Sequence, residues 1–195
     1  MHLRFLNDIF SMNVEGLYIS YLKTIGSLGL SESKMILCAS ITSQKLYLMQ
    51  KGEILKEYTM SSSRKAPSCQ EGSLGTPWGL HSVCEKIGDG EEIGMVFVGR
   101  KPIGDTYSTC EDGMKAKNLI TTRILRLRGL EDGVNRGNGI DSYDRYIYIH
   151  GTNHEDRIGS PSSSGCLQLS NQDVLQLHDL AEEGMHLWIE NVNCD

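Results

Sequence analysis

Two residues with the chemistry of a nucleophile and a base lie sixteen positions apart near the C-terminal end of the chain. His150 follows a hydrophobic run, and Cys166 lies in a Gly-containing turn. A cysteine attacks as its thiolate, and an ordinary pKa of about 8.5 leaves it mostly protonated at neutral pH. A neighbouring imidazole can take that proton. The pattern therefore indicates a Cys–His pair for acyl transfer, if the turn folds back across the strand end.

The residues around Cys166 suit the same chemistry. The backbone N–H groups of Ser164, Gly165 and Cys166 would be free to point at a developing oxyanion. Gly165 lacks a Cβ and so permits a close backbone approach. These three donors are the predicted oxyanion hole.

Two other interpretations stay open on spacing alone. Free cysteine is among the most buried residue types, so Cys166 fits an ordinary core position as well. His150 and His154 are four apart, with Glu155, Asp156 and Cys166 nearby, which are all metal-ligand types. That spacing places two histidines on one face only in a helix, and "HGTNHED" is typical of a loop. We therefore expect no metal.

The elements that must position this pair are predominantly extended. Residues 3–25 carry a helical apolar stripe, with a break near 13–16, and predict a helical N-terminal extension. Residues 45–49 alternate in polarity, Lys51-Gly52 predicts a turn, and residues 54–60 resume the extended pattern. The pattern favours a β-meander.

The middle of the chain is interpreted as loops around one short strand. Residues 61–117 are rich in Gly and Ser, with "GMVFVGR" as the strand. Two extended runs follow, "NLITTRILRLRGL" and "DSYDRYIYIHG", and the second puts His150 where a strand ends. Loops of such length more often surround a site than fill a core.

A helix is predicted after Cys166. Ser170 or Asn171 can cap it, Asp173 suits its first turn, and Gly184 suits a left-handed stop. A final strand is expected at 185–190.

Charge and hydropathy exclude some classes of partner. The 19 basic and 25 acidic residues give a formal charge of −6, and the basic residues are scattered, so we expect no nucleic acid partner. No apolar run approaches the roughly 18 to 20 residues that span a bilayer, so no transmembrane segment is expected. Asp8 and Glu15 interrupt the N-terminal apolar stretch, which therefore makes no clear signal peptide.

The cysteines do not form a recognisable framework. No CxxC pair is present for zinc or redox chemistry, and a bridge between Cys84 and Cys110 is left undecided by the sequence. The six cysteines are Cys38, Cys69, Cys84, Cys110, Cys166 and Cys194.

The stretch "YIYIHGTNHEDRIGSPSSSGCLQLSNQDV" resembles the active-site signature of the L,D-transpeptidase family, the YkuD-like catalytic domain. That signature typically reads His-Gly-Thr-Asn, a short loop, then Ser-His-Gly-Cys-Ile-Arg. Other segments are similar to the family too, among them "SQKLYLMQKGEILKEYTMSSS", "GTPWGLHSVCEKIGDG" and "GMVFVGR". The resemblance covers roughly residues 35–190.

The resemblance implies a mainly β fold, an L,D-transpeptidase-like β-sandwich or barrel with a short helix after the catalytic Cys. It divides the chain into a helical extension at 1–34 and a catalytic domain at 35–191. It also implies acyl transfer on peptidoglycan stem peptides without a cofactor. Cys166 would attack the L-centre carbonyl of the third residue and release the terminal D-alanine. His150 would move the protons, oriented by the carbonyl of Gly151.

The acyl acceptor stays open in this interpretation. An amine acceptor would make the protein a transpeptidase, and water would make it an L,D-carboxypeptidase or endopeptidase. A non-catalytic peptidoglycan-binding domain is the third alternative. Carbapenem inhibitors are expected ligands of such a site, and the substrate implies the cell envelope or periplasm as its location.

Two positions depart from the family pattern. Ser164 stands where His is usual, and Gln168 stands where Arg is common. Arg offers a two-pronged contact to a carboxylate, whereas neutral Gln offers one amide, so substrate preference or activity is expected to differ. Five residues are candidates for substrate binding, although loop or structural roles are the simpler reading for Asn153, Ser163 and His81. The five are Gln168, Asn153, Ser163, Trp78 and His81.

Overall fold

The structure is a computed structural model that describes residues 2–191, with side chains described from residue 14 onward. Ten strands and three α-helices lie in this range. In chain order they are α1 (His2–Ser27), β1 (Ile36–Ser40), β2 (Lys45–Gln50), β3 (Glu53–Thr59), β4 (Gly79–Ile87), β5 (Met95–Val98), β6 (Lys101–Thr106), α2 (Asp112–Lys115), β7 (Ile120–Gly129), β8 (Tyr148–Gly151), β9 (Leu167–Leu169), α3 (Asn171–Leu180) and β10 (His186–Ile189). A single 3₁₀ turn, Glu155–Arg157, follows β8.

All ten strands belong to one mixed sheet. The main path runs β3-β2-β1-β10-β4-β7-β5-β6, and β8 pairs with both β7 and β9. The β1–β10 and β8–β9 pairs are parallel, and the other pairs are antiparallel. The path ends at β3 and β6, so the sheet does not close on itself. The predicted mainly β class is confirmed.

The hairpin of β2 and β3 forms as predicted. Lys51 and Gly52 both have positive φ, 50° and 82°, which is the conformation of a two-residue type I′ turn. Such a turn matches the right-handed twist of the two strands. The register runs from Lys45 opposite Thr59 to Gln50 opposite Glu53.

The loop interpretation of residues 61–117 is wrong for β4, for β6 and for the short helix α2. β4 has nine residues and lies in the interior of the sheet between β10 and β7. Its sequence, GLHSVCEKI, is rich in polar residues and begins with glycine, so neither alternation nor β propensity marks it. Pairing with both neighbours stabilises it instead.

Helix α1 covers one face of the sheet. The buried side chains of its described part recur at helical spacing: Val14, Leu17, Tyr21 and Ile25. They pack on the outward side chains of the sheet, Ile36, Cys38, Tyr47, Met49, Leu80 and Trp188.

The predicted break near residues 13–16 is wrong, because the backbone is helical throughout His2–Ser27. The remaining predicted stripe residues, Leu3, Leu6, Ile9 and Phe10, lie outside the residues whose side chains are described. The division of the chain at residue 34 stays a prediction. In the described part of the chain, α1 included, no helix combines the length and apolar character needed to cross a membrane.

Helix α3 covers the other face and begins as predicted. Ser170 is its N-cap, and its side chain accepts a hydrogen bond from the N–H of Asp173 in the first turn. Val174 and Leu177 are fully buried in the main core. The predicted stop at Gly184 is wrong: the helix ends at Leu180, and Gly184, with φ 90°, lies in the turn before β10.

The undecided bridge between Cys84 and Cys110 does not form. Cys84 donates to the carbonyl oxygen of Arg126, and Cys110 packs beside Val96 and Leu119. The five described cysteines are all free thiols, and Cys194 lies outside the described residues.

The packing of α1 predicts unequal costs for two leucines five residues apart on different faces of the helix. Leu17 is buried and Leu22 is 38% exposed. Leu17→Ala is expected to lower the free energy of unfolding by about 2 to 5 kcal/mol, because it opens a cavity against the sheet. The matched control Leu22→Ala should cost less than about 1 kcal/mol. Urea denaturation measures both, and equal losses would mean that α1 does not pack through this face.

Candidate active site

The register of β8 and β9 brings His150 and Cys166 to one side of the sheet. His150 lies opposite Gln168, and Ile149 lies opposite Leu167. Because strand side chains alternate, His150 and Gln168 share a face, and Cys166, two residues before Gln168, continues it. The opposite face, with Ile149 and Leu167, belongs to the main core. A strand that the sequence did not predict, β9, thus aligns the two predicted residues.

His150 is held as a neutral base. Its ring is 4% exposed, and Nδ1 lies 2.7 Å from the carbonyl oxygen of Gly151. A carbonyl only accepts, so Nδ1 carries the proton and Nε2 keeps its lone pair. Burial lowers the pKa of His150 to about 4, opposed by the bond to Gly151. The imidazole can therefore accept a proton at Nε2 throughout neutral pH.

Cys166 is held as a neutral thiol. It is partly exposed and packs against a cluster formed by Met95, Phe97, Ile124 and Tyr148. Its Sγ donates to the carbonyl oxygen of Tyr146 at 3.5 Å. Burial raises the pKa of Cys166 to about 11, with smaller lowering effects from the backbone of Tyr148 and the charge of Arg145. Within residues 14–191, no hydrogen bond joins this thiol to His150, so the pair rests uncharged.

The turn before Cys166 is shaped by Ser163 and Gly165. The Ser163 hydroxyl donates to the carbonyl oxygen of Cys166 at 2.6 Å and accepts from the N–H of Gly165 at 3.2 Å. Gly165 has φ 128°, and a Cβ there would lie 3.2 Å from Ile147 Cδ1. Glycine is therefore required by both backbone conformation and space.

This geometry changes the predicted oxyanion hole. The N–H of Gly165 is occupied by Ser163, so it does not point freely at an oxyanion. The N–H groups of Ser164 and Cys166 donate to none of the described residues. Two of the three predicted donors remain.

A serine segment after β3 holds the Cys-bearing turn from the other side. Ser61 exchanges backbone hydrogen bonds with Gln168 at 2.9 and 2.8 Å. Ser163 donates to the carbonyl oxygen of Ser62 at 3.0 Å, and Arg64 donates to that of Ser163 at 3.2 Å. The turn is therefore clamped between β8 and residues 61–64, which are about a hundred positions away in sequence.

Gln168 does not serve as a substrate contact in this structure. It is 1% exposed. Its Oε1 accepts from the Ser162 hydroxyl and its Nε2 donates to Asn118 Oδ1, both at 2.8 Å. Both ends of the amide are engaged, so the prediction of Gln168 as a substrate-binding residue is corrected to a brace of the turn.

Asn153 has a similar bracing role. Its Nδ2 donates to the carbonyl oxygens of Lys115 and Lys117, at 2.9 and 3.0 Å. Its Oδ1 accepts from the N–H of Leu119 at 2.9 Å. Asn153 therefore ties the end of β8 to the segment before β7, as Ser163 ties the Cys-bearing turn.

His81 is a core residue of β4. It is 0% exposed, and its two ring nitrogens lie 3.0 Å from the carbonyl oxygen of Gly79 and 2.9 Å from the Ser142 hydroxyl. The structural alternative for His81 is therefore correct and the substrate contact is wrong. Trp78 is half-buried at the start of β4 and remains a predicted substrate contact.

Asn171 organises the site from beneath, a role that the sequence analysis missed. The amide is 4% exposed. Its Oδ1 accepts from the hydroxyl of Thr121 at 2.6 Å, and also from that of Thr122. Its Nδ2 donates to the carbonyl oxygen of Thr152 at 2.9 Å and to Glu155 at 2.7 Å. Asn171 thereby links α3, β7 and the end of β8, where His150 and Gly151 lie.

Two hollows flank the Cys-bearing turn. Leu74 and Ser164 line both of them, so the exposed Ser164 lies on the ridge between. One hollow is basic, with Arg64 and Lys65. The other has Glu71, Asp144, Arg145, Tyr146 and Ile147 in its wall.

The metal interpretation has no support in the described residues. No three His, Cys, Asp or Glu side chains among them come together as ligands. His154 Nε2 lies 3.1 Å from the carbonyl oxygen of Lys117.

Comparisons with known proteins agree with this fold. The family model for YkuD, the L,D-transpeptidase catalytic domain, matches residues 34–189. The chain is similar to the L,D-transpeptidase from Xylanimonas cellulosilytica, with 17% identity, coverage of 82% of this chain and 62% of that one, and a TM-score of 0.50. It is also similar to L,D-transpeptidase 3 from Mycobacterium tuberculosis in complex with a faropenem-derived adduct, with 14% identity, 81% and 60% coverage, and a TM-score of 0.51.

Such low identities show the fold alone. For an L,D-transpeptidase from Mycobacterium smegmatis the identity is 16%, the coverage 81% of this chain and 59% of that one, and the TM-score 0.48. The chain thus spans less than two thirds of these solved relatives. No curated protein matches the sequence.

The contacts of Asn171 predict a large cost for its removal. Asn171→Ala leaves the hydroxyls of Thr121 and Thr122 without their acceptor, and should lower the free energy of unfolding by about 1 to 3 kcal/mol. The neighbouring Gln172 is exposed, and Gln172→Ala is expected to stay within about 0.5 kcal/mol of the wild type. Chemical denaturation followed by circular dichroism compares them. Equal stability of the two variants would remove Asn171 from this role.

Proposed function

Because the chain belongs to the YkuD family of L,D-transpeptidase catalytic domains, we propose that it is a cysteine acyltransferase acting on peptidoglycan stem peptides. The proposal is supported most directly by the shared face of His150 and Cys166 across the β8–β9 pair. The 2.7 Å contact of His150 Nδ1 with Gly151 adds a reason for the imidazole to act through Nε2.

In the first half-reaction, Cys166 attacks the L-centre carbonyl of the third stem residue. His150 Nε2 takes the thiol proton as the S–C bond forms. The resulting oxyanion is stabilised by the N–H groups of Ser164 and Cys166, which have no other partner among the described residues. The C–N bond then breaks, and His150 returns the proton to the leaving amine of the terminal D-alanine. A thioester on Cys166 remains.

In the second half-reaction, an amine of another stem peptide attacks the thioester. His150 takes a proton from this amine, and the S–C bond breaks as the new amide forms. The proton returns to the sulfur and restores the thiol. Water in place of the amine gives a shortened stem peptide by the same steps.

The two hollows share Leu74 and Ser164, which lies two residues before Cys166 in the chain, and we assign the donor and the acceptor peptide to them. A small residue at position 164 keeps the ridge between them low. We further infer that carbapenems acylate Cys166, and L,D-transpeptidase 3 from Mycobacterium tuberculosis in complex with an adduct derived from faropenem, a related penem, supports this. The substrate assigns the reaction to the cell envelope.

Product analysis with defined tetrapeptide muropeptides tests the proposal. Wild-type protein is expected to release D-alanine and form cross-linked dimers, seen by mass spectrometry. Cys166→Ala is expected to lose both products, because Cys166 supplies the sulfur of the thioester. Cys84→Ala is the matched control and should keep wild-type activity, since Cys84 lies in β4 away from β9.

Each other outcome has a definite meaning. Shortened monomers without dimers would identify water as the acceptor and a carboxypeptidase. Full activity in Cys166→Ala would overturn the proposed nucleophile. Binding of muropeptides without any product would identify a non-catalytic domain.

The neutral resting pair predicts a characteristic pH dependence. Because burial lowers the pKa of His150 to about 4, kcat/KM should stay level through weakly acidic pH and fall only as pH drops through about 4. Because the pKa of Cys166 is raised to about 11, its alkylation by iodoacetamide should still be increasing above pH 9. An acid limb near the ordinary histidine pKa of about 6.5, or a labelling plateau at neutral pH, would indicate a preformed ion pair instead.

A further inference from the structure

A cation that the steps above do not use lies at the tip of the β5–β6 hairpin. Gly99 and Arg100 connect the strands, and both have positive φ, 56° and 67°. A non-glycine residue rarely adopts this backbone conformation. The turn directs the Arg100 side chain back over the sheet, where Nη1 donates to the hydroxyl of Tyr148 at 3.2 Å.

The tyrosines that contact Arg100 also flank the thiol. Tyr148 belongs to the cluster against which Cys166 packs. The Arg100 guanidinium lies 5.2 Å from the ring centre of Tyr146, whose carbonyl oxygen accepts from Cys166 Sγ. Tyr148 thus bonds to the guanidinium through its hydroxyl and belongs to the cluster on which Cys166 packs.

The charge of Arg100 is not neutralised by the described residues. It takes part in none of their ion pairs, and its Nε and Nη2 donate to none of them. The neighbouring carboxylate of Glu85 is engaged by Arg126 Nη1 and the Tyr143 hydroxyl, both at 2.9 Å. Arg128 adds another cation over Tyr143. The group formed by Arg100, Arg126, Arg128 and Glu85 therefore has three guanidinium groups and one carboxylate.

We propose that Arg100 is the carboxylate-recognising residue of this site and binds the carboxylate adjacent to the amide that Cys166 cleaves. This inference rests on the proposed function for its substrate. A stem peptide ends in a free carboxylate one carbon from the scissile nitrogen, so the donor brings an anion next to the thiol. With one Nη held by Tyr148, the remaining N–H groups of Arg100 can meet both oxygens of a carboxylate.

The burial of Gln168 strengthens this assignment. The family commonly has Arg at that position, and here the residue is neutral, buried and bonded at both ends to Ser162 and Asn118. Position 168 therefore offers no charge to a carboxylate, and Arg100 does. Arg64 and Lys65, in the basic hollow, are competing cations, and Arg64 enters the test as such. Arg145 is a third, and its guanidinium already donates to the carbonyl oxygens of Ser68 and Gly75.

Paired alkylating reagents test the inference without any peptide substrate. Iodoacetate and iodoacetamide transfer similar groups to a thiol, but only iodoacetate carries a carboxylate. The ratio of their second-order rate constants at Cys166, measured by mass spectrometry of the Cys166 peptide, reports on the cations that attract a carboxylate to the site. Arg100→Gln is expected to lower this ratio by about fivefold at low salt, while the iodoacetamide rate stays within about twofold of the wild type.

Three variants serve as controls. Arg100→Lys keeps the charge and should retain most of the ratio. Arg128→Gln and Arg64→Gln remove exposed cations nearby and should leave the ratio unchanged. An unchanged ratio in Arg100→Gln, or a fall in Arg64→Gln instead, would overturn the proposal. If Arg100→Gln lowered the iodoacetate and iodoacetamide rate constants equally, Arg100 would have only a structural role.

A second measurement separates this inference from the proposed function. With tetrapeptides that end in a carboxylate or in a carboxamide, Arg100→Gln should raise KM severalfold for the acid alone. If the wild type turned over neither peptide, the proposed function would fail, whereas the alkylation ratio would still decide the role of Arg100.

Discussion

The parallel pairing of β8 with β9 is the constraint on which the site depends. β9 has only three residues, too few to be stable alone, yet its register decides that Cys166 and His150 face the same way. A shift by one residue would turn Cys166 into the main core and Leu167 toward the imidazole. β8 on one side and Ser61 on the other hold this short strand in register.

Burial sets the electrostatic state of the pair. Desolvation disfavours both charged forms, so it raises the pKa of the thiol and lowers that of the imidazole, and neither ionises at neutral pH. A thiol in this state is a weak nucleophile. It becomes reactive when His150 takes its proton during attack on a bound carbonyl. The guanidinium of Arg145, bonded to the carbonyl oxygens of Ser68 and Gly75, moderates this effect at Cys166.

Residues next to the nucleophile serve the fold, and residues distant in sequence surround the thiol. The side chain of Ser163 bonds within the Cys-bearing turn, and that of Gln168 bonds to Asn118 in the segment before β7. The side chain of Asn171 accepts from Thr121 in β7. The open surface near Cys166 comes instead from residues around 64–74, from the β5–β6 hairpin and from the segment that leads into β8. The two positions that depart from the family pattern therefore differ in location: Ser164 is exposed at the surface, and Gln168 is buried in the interior.

Local chemistry in the sequence was sufficient to single out His150 and Cys166 as candidates and to predict the β2–β3 hairpin and the start of α3. A Lys-Gly turn, a Ser cap and an apolar run ending in His150 are signals carried by a few adjacent residues, because turns, caps and strand ends depend on local conformation. β4 and β9 were missed because their stability comes from neighbouring strands. The sequence of β4 is rich in polar residues, and β9 has only three residues. The same reason hid Asn171, which reads as a helix cap but bonds to Thr121, fifty positions away. Which face a strand presents, and which tyrosine a distant arginine contacts, were decided only by the tertiary structure, since long-range pairing sets both.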